Sequence, residues 1–216
     1  MISTGLERLD NLLGGGIAAG TVVDIFGPSG SGKTQLAMQI SLNSLKDGIT
    51  LYQDTTGAFR PERMMQLMKI KEMNLSLLDN VLVARITNTS EQTDYVKQIS
   101  QIRPNLVVIE NIADLFVFEY SKESNSLEKH VRFMEYLHLL SMASIQTKIP
   151  IVVTNTIRSS KEQEIENLDK SISIFTHKKI KLEKTGQKYK AQVFPSFGEK
   201  KEITYKITEA GLTEIS

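Results

Sequence analysis

The sequence has no cysteine among its 216 residues, which excludes disulfides, thiolate metal centres and cysteine nucleophiles. No apolar run approaches the roughly 20 residues that a membrane-spanning helix needs. The opening Met1-Ile2-Ser3-Thr4-Gly5 lacks the basic stretch followed by an apolar one that marks a secretory signal. A large charge imbalance is also missing: the formal net charge is +1, whereas dedicated nucleic-acid binders are often strongly basic. There is no internal repeat and no low-complexity tract. These absences describe a protein of the cell interior, expected in the cytoplasm and off the membrane. A length of 216 residues suits one domain, residues 1–216, with a sizeable core. What charge there is clusters. Residues 177–190 carry Lys178, Lys179, Lys181, Lys184, Lys188 and Lys190, so one face of a neutral molecule is expected to be positive.

Along the chain, strand and helix patterns alternate. Residues 4–20 read as a loop ending in Gly14-Gly15-Gly16 and Ala19-Gly20. Residues 21–26 read as a buried strand, followed by a glycine-rich turn and a helix over about 33–46 that carries Leu36 and Ile40 and closes at Gly48. Strands follow at 49–52, 81–86, 106–109 and 149–154. Pro61 starts a helix, as proline is tolerated at the first helical position. Another helix is marked by Val96, Ile99 and Ile102, and a further, long one opens at Asn125 and Glu128 as a capping pair. Continuous apolar strands joined by helical crossovers imply a mainly parallel twisted sheet with helices on both faces, an α/β fold. After residue 171 the texture changes: strands at 172–182, 189–194 and 203–207, with a turn at 184–187, suggest a C-terminal antiparallel extension at one sheet edge.

The most specific feature is Gly27-Pro28-Ser29-Gly30-Ser31-Gly32-Lys33-Thr34, of the form G-x-x-x-x-G-K-[ST], lying between a strand and a helix. Glycines let the backbone curl so that successive N–H groups point at phosphate oxygens, and the helix N-terminus adds partial positive charge. Lys33 is placed to reach the β- and γ-phosphates, and the Thr34 hydroxyl to bind magnesium. The implied cofactors are ATP and Mg2+. Glu110, at the C-terminal end of the 106–109 strand, is the natural second metal-side group, able to hold a magnesium-bound water beside the phosphates.

Two stretches carry a family likeness. Ser3-Thr4-Gly5-Leu6-x-x-Leu9-Asp10-x-Leu12-Leu13-Gly14-Gly15-Gly16 resembles the opening of RecA-type P-loop NTPase cores. Residues 52–64, Tyr-Gln-Asp-Thr-Thr-Gly-Ala-Phe-Arg-Pro-Glu-Arg-Met, resemble the segment after the second strand of archaeal and eukaryotic recombinases. The likeness runs from Ser3 to about Thr156 and, more weakly, over 207–215. The chain opens at the core, so neither a helical N-terminal DNA-binding domain nor a subunit-hooking linker is expected. That shortened form is similar to RadB, the archaeal recombinase paralogue. The resemblance implies an ATP-binding accessory factor of homologous recombination and DNA repair. Its implied partners are DNA, taken as single-stranded, and the main recombinase of the same cell, with homo-oligomers an open possibility. It also implies that Arg63 stacks on adenine; the alternative is a solvated helix residue. Glu62, in a first helical turn, reads as a dipole partner rather than a catalyst.

The chain departs from that family at three places. The glutamate that activates water is Thr56 here, and a hydroxyl is no general base at ordinary pH. The γ-phosphate-sensing glutamine is replaced by Thr156, after Asn155. The magnesium aspartate is Glu110, one methylene longer. The expectation is nucleotide binding with weak or absent hydrolysis, Asp54 being the only nearby carboxylate able to substitute for the base. An alternative is a KaiC-like ATPase or signalling protein, and a third reading is a binding module with incidental nucleotide.

The loops facing DNA in RecA-like cores correspond to residues 117–125, with Phe118, Tyr120 and Lys122, and to residues 158–171, where Arg158 and Lys161 are opposed by four acidic residues. The 177–190 segment is the better DNA candidate: on a strand, Lys179 and Lys181 share a face while Ile180 and Leu182 pack inward, with Lys178 beside them. The competing reading is a solvated edge strand whose lysines prevent edge pairing. His130, His138 and His177 read as packing or surface residues, Met64, Met65, Met68 and Met73 as core fillers, and Ser3-Thr4 as a turn element.

Overall fold

The computed structural model describes residues 1–160, 163–186, 188–194 and 201–215. The chain runs α1 (Glu7–Leu13), β1 (Val22–Gly27), α2 (Lys33–Ser44), β2 (Thr50–Asp54), α3 (Pro61–Ile70), β3 (Val81–Arg85), α4 (Thr89–Asp94), α5 (Val96–Ile102), β4 (Leu106–Glu110), α6 (Asp114–Glu119) and α7 (Ser126–Thr147). It continues through β5 (Ile151–Ser160), β6 (Gln163–Glu166), α8 (Asp169–Phe175), β7 (Lys178–Thr185), β8 (Lys188–Phe194), β9 (Glu202–Thr208) and β10 (Gly211–Glu214). The strand order is β10-β9-β8-β7-β1-β5-β4-β2-β3, with β6 paired to the far end of β5. β7, β1, β5, β4, β2 and β3 are mutually parallel, and β8, β9 and β10 extend the sheet antiparallel. This is the expected mixed α/β sheet, mostly parallel with an antiparallel C-terminal part.

The pleat decides which side chains meet which helices. Val23, Ile25, Tyr52, Val108, Val152 and Ile180 face α1 and α2 in one core. Val22, Leu51, Val107, Ile109, Ile151 and Val153 face α5 to α8 in the other. Burial on both sides is why β4 and the first part of β5 are continuous apolar runs in the sequence. Met64 and Met68 fill a third cluster between α2 and α3, as expected of core methionines, and Met73 packs against it.

Several expectations are corrected. Residues 4–20 contain a helix: Leu6, Leu9 and Leu13 are buried on one side of α1, and Asp10 takes hydrogen bonds from the hydroxyls of Ser3 and Thr4, which gives that pair its turn role. Asn125 precedes α7 but makes no capping hydrogen bond to it. The stretch 172–182 is not one strand. Its first part belongs to α8, where Leu168, Ile172 and Phe175 follow helical spacing into the core while Ile174 is 64% exposed. The alternation Ile172-Ser173-Ile174 mimics a strand period without being one. β7 is not an edge strand either; it lies between β1 and β8. Residues 117–125 are largely helical, ending α6 and forming a short turn of 3₁₀ helix, and 158–171 hold the β5–β6 hairpin and the start of α8 rather than an open loop.

The sheet face toward α8 carries a buried charge cluster. Lys179 Nζ contacts Glu166, Asp169 Oδ1 at 2.9 Å and Asp24 Oδ2 at 3.6 Å, and donates to Ser173 Oγ at 2.8 Å. Burial pulls the Lys179 ammonium down, but the charge of Glu166 foremost outweighs it and holds it above its ordinary value. Burial, then the charge of Glu166, pushes the Asp24 carboxyl well above the ordinary carboxylate range. The folded protein therefore keeps Asp24 protonated where the unfolded chain ionises it. Its contribution to stability is full below the ordinary pKa of 3.8 and is lost as pH rises toward the folded value. Asp24→Asn removes this titration. Denaturant unfolding of both proteins between about pH 4 and about pH 8 is expected to show the wild type losing stability relative to the variant as pH rises; a pH-independent difference is the contrary result.

Candidate nucleotide site

The C-terminal ends of β1, β2, β4 and β5 converge on one rim, the place where open parallel sheets bind ligands. Register puts Gly27 beside Thr156 and Asp54 beside Glu110. The phosphate loop leaves β1 at Gly27 and enters α2 at Lys33. Gly27 has φ 155°, and a Cβ there would lie 2.1 Å from the Leu182 carbonyl oxygen. Gly32 has φ 95° and backs onto Ile207 and Leu212, whose methyl groups would stand 3.1 and 3.2 Å from an added Cβ. Only glycine fits either place. Ser31 is buried; its hydroxyl donates to the Pro28 carbonyl at 2.8 Å, and its own carbonyl accepts from the Tyr205 hydroxyl at 2.6 Å. The C-terminal extension thus props the loop from behind. No side chain caps the N-terminus of α2, leaving its first N–H groups to an external anion.

Lys33 Nζ donates to the carbonyls of Gly27 and Pro28, both at 2.9 Å. Burial lowers its pKa, opposed by Glu110 and Asp114. Thr34 donates to Glu110 Oε1, and Tyr52 donates to Glu110 Oε2. Burial raises the Glu110 pKa despite these two hydrogen bonds. A cavity of about 380 Å³ opens above the loop, lined by Ser29, Gly30, Lys33, Arg63, Thr156 and Ile207 among others. Arg63 is not loose on the surface: Nε donates to Gln35 at 2.9 Å, Nη1 to Gln66 at 2.6 Å and Nη2 to the Thr208 carbonyl at 3.2 Å. A larger cavity of about 610 Å³, lined by Arg103, Asn105 and Lys148, lies at the N-terminal ends of the strands and has no phosphate loop.

The donor set fits a magnesium nucleotide. Glycine positions leave room that a Cβ would fill, the helix start offers free N–H groups, and Thr34 and Glu110 supply the hard oxygens that magnesium prefers. Thr56 is exposed and its N–H donates to Asp54 Oδ1 at 3.1 Å. Asp54 is fully engaged: its carboxylate accepts from the N–H groups of Thr56, Gly57, Ala58 and Phe59, with Arg85 at 3.5 Å. It organises that loop, with Oδ1 accepting from the N–H groups of Thr56, Gly57 and Ala58 and Oδ2 from that of Phe59. Thr156 accepts from Asn167 Nδ2 at 2.9 Å and Asn111 Nδ2 at 3.4 Å.

Sequence reasoning missed Tyr52 and Asp114. Asp114, half-buried, stands near Lys33 and Thr156; burial raises its pKa and Lys33 opposes the shift. Its place four residues after Glu110, in a first helical turn, was a usable signal. Lys184 Nζ lies 3.8 Å from where a Gly30 side chain would begin, a further cation beside the loop.

The DNA candidates scatter. Lys179 and Lys181 do share a face, and Ile180 and Leu182 are buried on the other, as expected. Lys179, however, is held in the internal cluster and is 14% exposed, so it presents no charge to a partner. Lys181 pairs with Glu183 at 2.6 Å and Lys190 with Glu202 at 3.0 Å, which offsets the positive face. Arg158 is exposed on the hairpin, Lys178 is half-buried, and Lys161 lies outside the described residues. The histidines have local partners: His130 with Ser171 Oγ at 3.1 Å, His138 against the Phe175 ring, and His177 accepting from the Val22 N–H at 3.1 Å.

This geometry agrees with what the whole chain is similar to. The profile of the Rad51 family matches residues 1–215. A DNA repair and recombination protein RadB of Thermococcus sibiricus is 30% identical over 224 aligned positions, covering 100% of this chain and 96% of that protein. RadB of Pyrococcus furiosus is 28% identical, covering 73% of this chain and 68% of its own length. A DNA repair and recombination protein RadA of Cenarchaeum symbiosum is 33% identical over 172 positions, 74% of this chain. The chain spans about half the length of the RadA relatives, 43% of that one and 52% of the one from Metallosphaera sedula. The phosphate loop, the Glu110 strand and the mixed sheet are thus parts of one inherited core, and the chain belongs to the Rad51 family.

Proposed function

We propose that the protein is a cytoplasmic, single-core ATP-binding factor of homologous recombination and repair, which holds magnesium–ATP tightly, hydrolyses it slowly, and contacts DNA and the cell's main recombinase. The observation that carries the reading is the phosphate loop itself, a glycine-shaped cradle with Lys33 and Thr34 at the start of α2 and Glu110 facing Thr34. Membership of the Rad51 family and the names of the RadB and RadA relatives support the recombination setting. Among the described residues no helix is long and apolar enough to cross a membrane.

In this reading the amide groups of residues 27–34 and the Lys33 ammonium bind the phosphate chain, and Thr34 with Glu110 holds magnesium. Magnesium held there would supply charge neutralisation at the phosphates. Arg63, with its donors fixed by Gln35, Gln66 and Thr208, offers a planar guanidinium face to a nucleobase. Slow hydrolysis follows from the composition of the rim. Thr56 is no base, Asp54 is committed to backbone amides, and general-base catalysis is typically worth about 10²–10⁴-fold.

Calorimetry is expected to show magnesium–ATP binding that Lys33→Ala abolishes. Steady-state turnover should be far below that of an ordinary ATPase and should rise roughly tenfold or more in Thr56→Glu. Turnover at a normal ATPase rate, abolished by Lys33→Ala, would falsify the slow-hydrolysis reading. For DNA, charge reversal of Arg158, Lys178 and Lys181 together is expected to weaken binding to single strands and flatten its salt dependence. Unchanged affinity in that triple variant, with an unaltered melting temperature, removes this face from the interface.

A further inference from the structure

Glutamate carries one more rotatable bond than aspartate, so a metal-facing carboxylate at position 110 needs more to hold it still. Two hydroxyls do so. Thr34 donates to one oxygen of Glu110 and Tyr52 to the other. Register explains the second contact. Asp54 stands opposite Glu110 and Tyr52 opposite Val108, so Tyr52 and Glu110 project from neighbouring strands onto the same sheet face, two residues out of register.

Tyr52 is fully buried and does not line the nucleotide cavity. Its ring packs on Phe59 with centroids 4.8 Å apart. Phe59 is placed in turn by its backbone N–H, which donates to Asp54 Oδ2 at 3.1 Å. The phenol is itself braced, and Asp54, although no base, contributes to the brace. A phenol carries one proton to donate, and here it goes to Glu110 Oε2. That leaves Oε1 as the oxygen presented beside Thr34.

We propose that Tyr52 is a positioning residue of the magnesium site, fixing the Glu110 carboxylate so that a single oxygen faces Thr34 and the nucleotide-bound cation. This rests on the reading of residues 27–34 as a magnesium–nucleotide loop. A tyrosine that merely satisfies its buried hydroxyl would make the same hydrogen bond, but its loss would cost stability alone.

Tyr52→Phe keeps the ring and removes the hydroxyl. A non-hydrolysable ATP analogue is titrated calorimetrically into wild type and variant, with magnesium and with EDTA. Affinity in EDTA is expected to stay unchanged, while the gain in affinity conferred by magnesium falls about 10–100-fold, the usual cost of removing an outer-shell partner. Because Tyr52 acts through Glu110, Tyr52→Phe added to Glu110→Gln is expected to cost nothing beyond Glu110→Gln alone. If Tyr52→Phe unfolds, Phe59→Leu serves instead: it loosens the ring, leaves the hydroxyl, and should lose a smaller part of the same magnesium-dependent gain. Equal losses with and without magnesium, or additive losses in the double variant, would overturn the inference. Wild-type protein that binds no analogue under either condition would remove the site reading itself, and this inference with it.

Discussion

The close seating of the phosphate loop against the C-terminal strands is the constraint on which the rest depends. Gly27 passes so near the Leu182 carbonyl that no Cβ fits, Gly32 backs onto Ile207 and Leu212, and Tyr205 hydrogen-bonds the Ser31 carbonyl. A cradle of backbone amides works only if its curvature is fixed beforehand, since amides that must be organised by the ligand lose affinity to their own ordering. Here that curvature is set by β7, β9 and β10 as much as by the loop's own glycines. The antiparallel extension, where the family likeness is faintest in the sequence, is therefore the back wall of the site. It also supplies the Thr208 carbonyl that orients Arg63.

The parallel half of the fold was legible because strands buried on both faces are largely apolar: β4 up to Glu110 and the first part of β5 are continuous apolar runs, and β1 departs from one only at Asp24. The phosphate loop was legible because its chemistry tolerates few residue types. What escaped was set by distant neighbours. Lys179 looked available to DNA because its face on β7 follows from alternation, but its partners Asp24, Glu166 and Asp169 come from three other elements. Tyr52 escaped for the same reason: nothing local in β2 says that a hydroxyl there meets a carboxylate of β4. α8 escaped through a local accident, an Ile-Ser-Ile alternation inside a helix whose buried side is set by Leu168, Ile172 and Phe175.

The fate of Lys179 changes how the molecule's charge is read. A neutral chain with a lysine-rich segment invites a positive face, yet the Lys181–Glu183 pair along β7 and the cross-strand pair Lys190–Glu202 offset charge where it would be displayed. Exposed pairs of this kind add little stability, with a median near zero to about 1 kcal/mol. The Lys179 cluster is different in kind. Removing the lysine leaves Glu166 buried without its cation, and breaking such a pair typically costs about 3–5 kcal/mol. Its role is to tie β6 and α8 to the central strands β1 and β7.

That tie has a consequence for the rim. Asn155 donates to Glu166 Oε1 at 2.6 Å and to the Asn167 carbonyl at 2.8 Å, while Asn167 Nδ2 donates to Thr156 Oγ1 at 2.9 Å. Thr156 lines the nucleotide cavity; Glu166 belongs to the lysine cluster. The base of the β5–β6 hairpin is thus built from Asn155 and Thr156, the second of which also lines the cavity. A glutamine at position 156 would reach into the cavity, whereas threonine is short and its hydroxyl already accepts from Asn167. The position then braces the hairpin whether or not a third phosphate is present. On the function proposed above, the shortened side chains at 56 and 156 point the same way, toward a rim suited to holding a nucleotide rather than acting on it.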